Sequence, residues 1–135
     1  MNIWRNLLVI AFSGLLLACQ SVRLEQTVSE PLAYSLDLAD AERCIIEAGA
    51  GRGWLITPTN PGELLAELNV RQHQVVVRIV YDEKNITYNY VSSKNMDANK
   101  GKIHRQYHNW LANLRNDIKV KMHQSHTKRL LNKES

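Results

Sequence analysis

The sequence predicts an α+β fold in two layers. An N-terminal helix precedes a three- or four-stranded antiparallel meander sheet, and a long C-terminal helix packs on one face of it. Three observations predict this. Apolar residues recur at spacings of three and four in two stretches, one before and one after the middle of the chain. Between them, apolar and polar residues alternate over consecutive short runs, the period of half-buried strands. Turn residues separate those runs at hairpin distances.

The first helical stretch is Leu36 to Ala48, with Leu38, Ala41, Cys44, Ile45 and Ala48 on one stripe. Asp37 or Asp40 is suited to cap its start, and Gly49 to take the left-handed position just past its end. Trp54 to Thr57 reads as a short strand, followed by the turn chemistry of Thr57-Pro58-Thr59-Asn60-Pro61-Gly62. Glu63 to Arg71 places Leu64, Ala66, Leu68 and Val70 on one face. Gln74 to Asp82 places Val75, Val77, Ile79 and Tyr81 together, and Asn85 to Ser92 does the same for Ile86, Tyr88 and Tyr90. Asp82-Glu83-Lys84-Asn85 is a four-residue hairpin loop between the last two. After a polar loop, Ile103, Tyr107, Trp110, Leu111, Leu114 and Ile118 form the stripe of the long helix, with Trp110 as a large anchor.

Charge is unevenly spread. The net charge is +4, yet the stretch from Cys19 to Asn99 holds more acids than bases. From Lys100 onward, nine cations face only Asp117 and Glu134. Such a block suits anionic lipid heads or an acidic partner, or simply a solvated basic helix. Two cysteines, Cys19 and Cys44, cannot build a disulfide framework if the first is otherwise engaged. The domain must then fold on burial, with Cys44 inert beside Ile45 and Ile46 in the core.

The chain starts with one side-chain cation, Arg5, followed by an apolar run from Leu7 to Ala18 broken only by Ser13 and Gly14. That run is well short of the roughly 20 residues needed to span a bilayer as a helix. A charged start, a short apolar centre and a small residue before a cut describe a secretory signal. The stretch Leu16-Leu17-Ala18-Cys19 resembles the lipobox of bacterial lipoproteins. The resemblance implies cleavage before Cys19, a diacylglyceryl group on its thiol and an acyl group such as palmitate on the new terminus. Several acyl chains hold a protein firmly on a membrane without spanning it. Gln20 follows the cysteine where Asp would imply inner-membrane retention, so the outer membrane, on its periplasmic face, is expected.

The chain then divides into a signal peptide (1–18), a lipidated Cys19 with a polar tether (19–33), the α+β domain (34–122) and a basic C-terminal tail (123–135). The glycines of "GAGRGW", Gly49 to Trp54, follow a helix and precede a strand, the reverse of a phosphate loop, and the Lys-Ser/Thr pair of that motif is absent. His104 and His108 are spaced for one helix face and are the weak candidates for a metal, with no third ligand at a suitable spacing. Ser92, Ser93 and the histidines sit in no nucleophile motif, so no enzyme activity and no cofactor are expected. Arg71 and Arg78 fall opposite the apolar strand face, with Asn69, Thr87 and Asn89, as a polar platform. With Lys119 and Lys121 of the basic helix, they are the candidate partner-binding residues.

Arg52-Gly53-Trp54, the run Val77 to Asp82, and Ile103 to Tyr107 leading to Trp110 resemble small proteobacterial lipoproteins to which no activity attaches. The resemblance implies an envelope location and supplies no activity. The expected function is that of a lipid-anchored periplasmic, non-enzymatic module that binds an envelope protein or takes part in envelope assembly. The alternative is a lipoprotein that binds a small ligand, a metal or cell-wall glycan such as peptidoglycan. Nucleic acid is not an expected partner beyond a secretory signal.

Overall fold

The computed structural model describes residues 20–135. The signal segment and Cys19 lie outside the described residues. Nine elements follow in order: β1 (Ser21–Arg23), β2 (Thr27–Pro31), α1 (Leu38–Gly51), β3 (Trp54–Asn60), β4 (Glu63–Val70), β5 (His73–Tyr81), β6 (Asn85–Lys94), β7 (Lys102–His104) and α2 (Gln106–Lys133). Strands β3 to β6 form the expected meander. The sheet has five strands, in the order β2-β6-β5-β4-β3, all antiparallel. A separate two-stranded ribbon joins β1 to β7.

The alternation read from the sequence sets the layers. Leu64, Ala66 and Leu68 of β4, Val75, Val77, Ile79 and Tyr81 of β5, and Ile86 and Tyr88 of β6 are buried under the helices. Ala41, Cys44, Ile45 and Ala48 of α1 meet them, as do Tyr107, Leu111, Leu114, Ile118 and Met122 of α2. Asp37 caps α1, its Oδ1 accepting from the Asp40 N–H at 2.8 Å. The opposite sheet face is left uncovered by the described residues. It carries cross-strand pairs of small polar groups, such as Ser29 with Thr87 at 3.0 Å and Thr27 with Asn89 at 3.0 Å.

Several expectations need correction. The sheet has five strands where three or four were expected, because β2 joins its edge. Residues 19–33 were expected to form a polar tether, but Ser21–Arg23 and Thr27–Pro31 are strands of the fold. The polar sequence of β2 suits an edge position, and Pro31 sits where its nitrogen faces away from β6, while the Leu32 N–H beyond it still donates to the Lys84 carbonyl at 2.6 Å. The long helix starts at Gln106, because Lys102–His104 is captured as a strand by Ser21–Arg23. Gly49 lies inside α1, which runs to Gly51, and Gly53 takes the left-handed turn instead, with φ 82°. A Cβ on Gly49 would collide with Ile56 Cδ1, so this glycine serves close helix–sheet packing. The segment 123–135 extends α2 as far as Lys133. Trp110 is half-buried at the sheet end, while Tyr107 and Leu111 occupy the core positions on either side of it.

The charge asymmetry has a structural use. Cations of α2 meet acids of the N-terminal part: Arg115 and Lys119 meet Glu30, Lys121 meets Glu47, and Arg129 meets Asp37 and Asp40. Asp117 of the same helix takes Arg52 at 2.6 Å, which holds that carboxyl below the usual carboxylate range. Much of the basic block is thus matched within the fold. Lys100, Lys102, Arg105, Lys128 and Lys133 make no ion pair among the described residues.

Candidate binding site

In β2 the side chains alternate, and Val28 and Glu30 turn toward the helices. A carboxylate on the inner face of a sheet is costly unless it is paired. Two cations one helical turn apart on α2 supply the pairing. Arg115 Nε donates to Glu30 Oε1 at 2.8 Å, its Nη2 reaches the same oxygen, and Lys119 Nζ lies 3.1 Å from it. Burial works to raise the Glu30 carboxyl, but these two cations outweigh it and hold the group below its ordinary range. Glu30 is therefore ionised at neutral pH while only 8% exposed.

All of these contacts converge on Oε1. Among the described residues, Glu30 Oε2 is buried with no hydrogen-bond partner, and so is the hydroxyl of Tyr88. The β2–β6 register sets Val28 opposite Tyr88 and Glu30 opposite Ile86, so Glu30 and Tyr88 are diagonal neighbours on the inner face. Burial, and after it the Glu30 charge, pushes the Tyr88 phenol well above its ordinary range, so it stays neutral and can both donate and accept. Tyr107 carries a third orphaned hydroxyl, edge-on to Tyr90 with ring centroids 5.5 Å apart.

Glu30 and Tyr88 are among the residues that line a cavity of about 330 Å³ between β2, the connection after it, β6 and α2, while their orphaned oxygens are themselves buried. Leu32, Ile86, Ile118 and Met122 give it apolar walls. Tyr34, Lys119 and His123 complete the lining, and Tyr34 stacks on His126 with ring centroids 4.1 Å apart. This volume falls at the small end of ligand sites, which run from about 300 to 1,000 Å³. The lining is largely apolar, with Glu30, Lys119 and His123 as its charged or polar members.

The residues singled out from the sequence do not form one surface. Arg71 is not on a strand face: it sits in the two-residue turn between β4 and β5 with φ 57°, the left-handed geometry a tight hairpin requires. Arg78 does lie on the open face, but Glu63 neutralises it at 2.8 Å. Lys119 and Lys121 belong to the helical layer, on the other side of the sheet. Lys119 is committed to Glu30, and Lys121 Nζ lies 3.9 Å from Glu47.

His104 and His108 are not on one helix face either. His104 is in β7, where its Nδ1 accepts from the Gln106 N–H at 3.1 Å. His108 is in α2, and its Nε2 donates to the Arg23 carbonyl at 3.0 Å. Each imidazole therefore serves the junction between the ribbon and the helix.

Sequence reasoning missed the Glu30–Arg115 pair and the cavity lined in part by Glu30. The available signals were weak: an inward-phased glutamate two residues after Val28, and a basic pair four apart on the long helix. Compared with known proteins, the chain matches no protein-family model and no curated protein. Among the described residues, no helix is long and apolar enough to cross a membrane.

Proposed function

We propose that this chain is a lipid-anchored, non-enzymatic binding protein of the bacterial envelope, held at the periplasmic face of the outer membrane, with a small and largely apolar molecule as its ligand. The anchor reading is supported by the lipobox-like stretch Leu16 to Cys19. The ligand reading is carried by one observation: a cavity of about 330 Å³ walled largely by Leu32, Tyr34, Ile86, Ile118 and Met122. The apolar walls favour a hydrophobic ligand over a cell-wall glycan.

The test is to purify the lipidated protein from native envelope into lipid nanodiscs and identify retained small molecules by mass spectrometry. Leu32→Trp is the control, since Leu32 lies on the connection after β2 and a larger ring there fills the cavity from its wall. A species kept by the wild type and lost from the variant supports the reading. Identical profiles would remove it. Metabolic labelling with an alkyne-bearing palmitate, abolished by Cys19→Ser, tests the anchor separately.

A second reading, an envelope protein as partner, is favoured by the uncovered sheet face. Leu55 is 65% exposed there, and Val80 42%. A photo-reactive residue at Val80 that gives one recurring protein adduct in native envelope would establish it.

A further inference from the structure

We propose that a second cavity, at the other end of the sheet, binds a phosphate group that still carries an ionisable proton, held between Arg71, His73 and His104. The cavity measures about 310 Å³. The β4–β5 hairpin supplies Arg71 and His73, the loop after β6 supplies Met96, β7 supplies His104, and the first turns of α2 supply Gln106 and Trp110. The centroids of the two imidazole rings are 6.4 Å apart. This cavity is separate from the one beside Glu30 and does not rest on the small-ligand reading.

The hydrogen bonds already made fix what each imidazole offers. His73 Nδ1 lies 2.6 Å from the Asn95 carbonyl, which can only accept, so Nδ1 carries a proton and Nε2 of the neutral ring is an acceptor. His104 Nδ1 accepts from the Gln106 N–H at 3.1 Å, so the proton of that ring sits on Nε2, a donor. Among the described residues, neither Nε2 has a hydrogen-bond partner, and neither is among the buried polar atoms left without one, so both remain open to solvent. Arg71 is exposed and makes no ion pair among the described residues.

The set is thus one forked cation, one N–H donor and one acceptor. A metal fits it poorly. A ligating imidazole keeps its other N–H, and His104 would have to give up its one proton while Nδ1 is already an acceptor. A carboxylate, a sulfate or a phosphodiester accepts from Arg71 and His104 but brings no proton to His73. A phosphate monoester loses its last proton at a pKa of about 6, so near neutral pH it can take both donors and share that proton with His73 Nε2. The surroundings draw an anion: from Lys94 to Arg105, four cations stand against Asp97 alone. The Gln20 carbonyl accepts from the Arg105 N–H at 2.7 Å, so a lipid on Cys19 would bring headgroups to this end of the domain. A lipid phosphate and a dissolved one are therefore the two sources.

The test uses the full lipidated chain in phosphatidylcholine nanodiscs, with isotope-labelled histidine, and follows the imidazole nitrogens of His73 and His104 by NMR. Inorganic phosphate is titrated in, and sulfate separately at equal ionic strength. The expected result is a saturable shift of both rings, with phosphate bound about tenfold more tightly than sulfate, the value of one hydrogen bond. Arg71→Asn should weaken phosphate binding about tenfold. It should leave the melting temperature unchanged, since Asn accepts the positive φ of this turn. His73→Asn keeps a donor for the Asn95 carbonyl and loses Nε2, so it should erase the preference for phosphate over sulfate, read on His104. Nanodiscs in which phosphatidic acid replaces part of the phosphatidylcholine, with no dissolved phosphate, test the lipid source. The same shifts there assign a lipid phosphate, and shifts with inorganic phosphate alone assign a dissolved one.

Sulfate matching phosphate on the wild type would overturn the assignment of a proton-bearing phosphate. Phosphate binding that Arg71→Asn leaves unchanged would overturn the site, and so would the absence of a saturable shift with either inorganic phosphate or phosphatidic acid. Neither result bears on the cavity beside Glu30, which the nanodisc mass spectrometry tests separately.

Discussion

Glu30→Gln removes one negative charge from beneath α2 and leaves the side-chain volume unchanged, so no cavity is created. Arg115 and Lys119 then face each other across a neutral amide. Breaking a fully buried ion pair by removing one partner costs about 3–5 kcal/mol, and an exposed one about 0.2–1 kcal/mol. This triad lies between the two limits. The Glu30 side chain is 10% exposed, Arg115 28% and Lys119 60%, so the cations can turn partly toward water once the carboxylate is gone. The expected loss is about 2 kcal/mol at neutral pH, or about 8 °C in melting temperature for a domain of this size. The pH dependence identifies the cause. The folded Glu30 carboxyl titrates below its ordinary value of 4.5, so its stabilisation is complete above that value and lost as pH falls through the folded one. The gap between wild type and variant should therefore be open at about pH 7 and narrow progressively below about pH 4. Urea unfolding followed by far-UV circular dichroism across that range measures it. A gap that stays constant into acid, or a variant as stable as wild type at neutral pH, would show that the charge does not hold β2 to α2.

Gly49→Ala gains about 1 kcal/mol of helix propensity but drives a methyl group against Ile56 Cδ1 and to 2.9 Å from its Cγ1. Overpacking of this kind costs about 1–3 kcal/mol, so a net loss of about 1 kcal/mol is expected in thermal unfolding. Ile56→Val removes the Cδ1 atom and should recover part of that loss in the double variant, whereas additive losses would refute the clash. Cys44 is 1% exposed and burial raises its thiol above the ordinary range, so a thiol reagent at neutral pH should leave it unmodified in the native protein and label it rapidly in urea. Fast labelling of the native chain at Cys44 would mean that α1 opens locally.

The helical layer and the central strands were legible because they rest on periodicity. Leu64, Ala66 and Leu68, and Val75, Val77 and Ile79, alternate without interruption, and Ala41, Cys44, Ile45 and Ala48 keep helical spacing. β2 was not legible because its one apolar residue, Val28, sits among Thr27, Ser29 and Glu30. Its stability comes from the backbone ladder to β6 and from Arg115, 85 positions away in sequence, which no local window can see. The same distance hid the candidate site. Tyr88 was readable as an inward residue, but its hydroxyl becomes notable only when Glu30 is known to lie beside it. The start of the long helix was misread for a related reason. Ile103 and Tyr107 are four apart, as on a helix, and only the pairing of Val22 with Ile103 reveals a strand. The basic C-terminal block looked like an outward surface, because sequence shows the sign of a charge and not its partner.

The β1–β7 ribbon changes how an anchored domain would stand. Gln20, the residue after Cys19, already accepts a hydrogen bond from the Arg105 N–H at 2.7 Å, just ahead of the first turn of α2. A loose leader of a dozen residues would let a domain drift roughly 20 Å from its lipid, facing any way. Here the slack is gone, and a lipid on Cys19 would mount the domain like a bracket, with the start of α2 at the bilayer. The cavity opens beside Ile118, some three turns farther along that helix, which sets its height above the headgroups at no more than about 18 Å. A molecule leaving the bilayer for the cavity would have a short climb of fixed length.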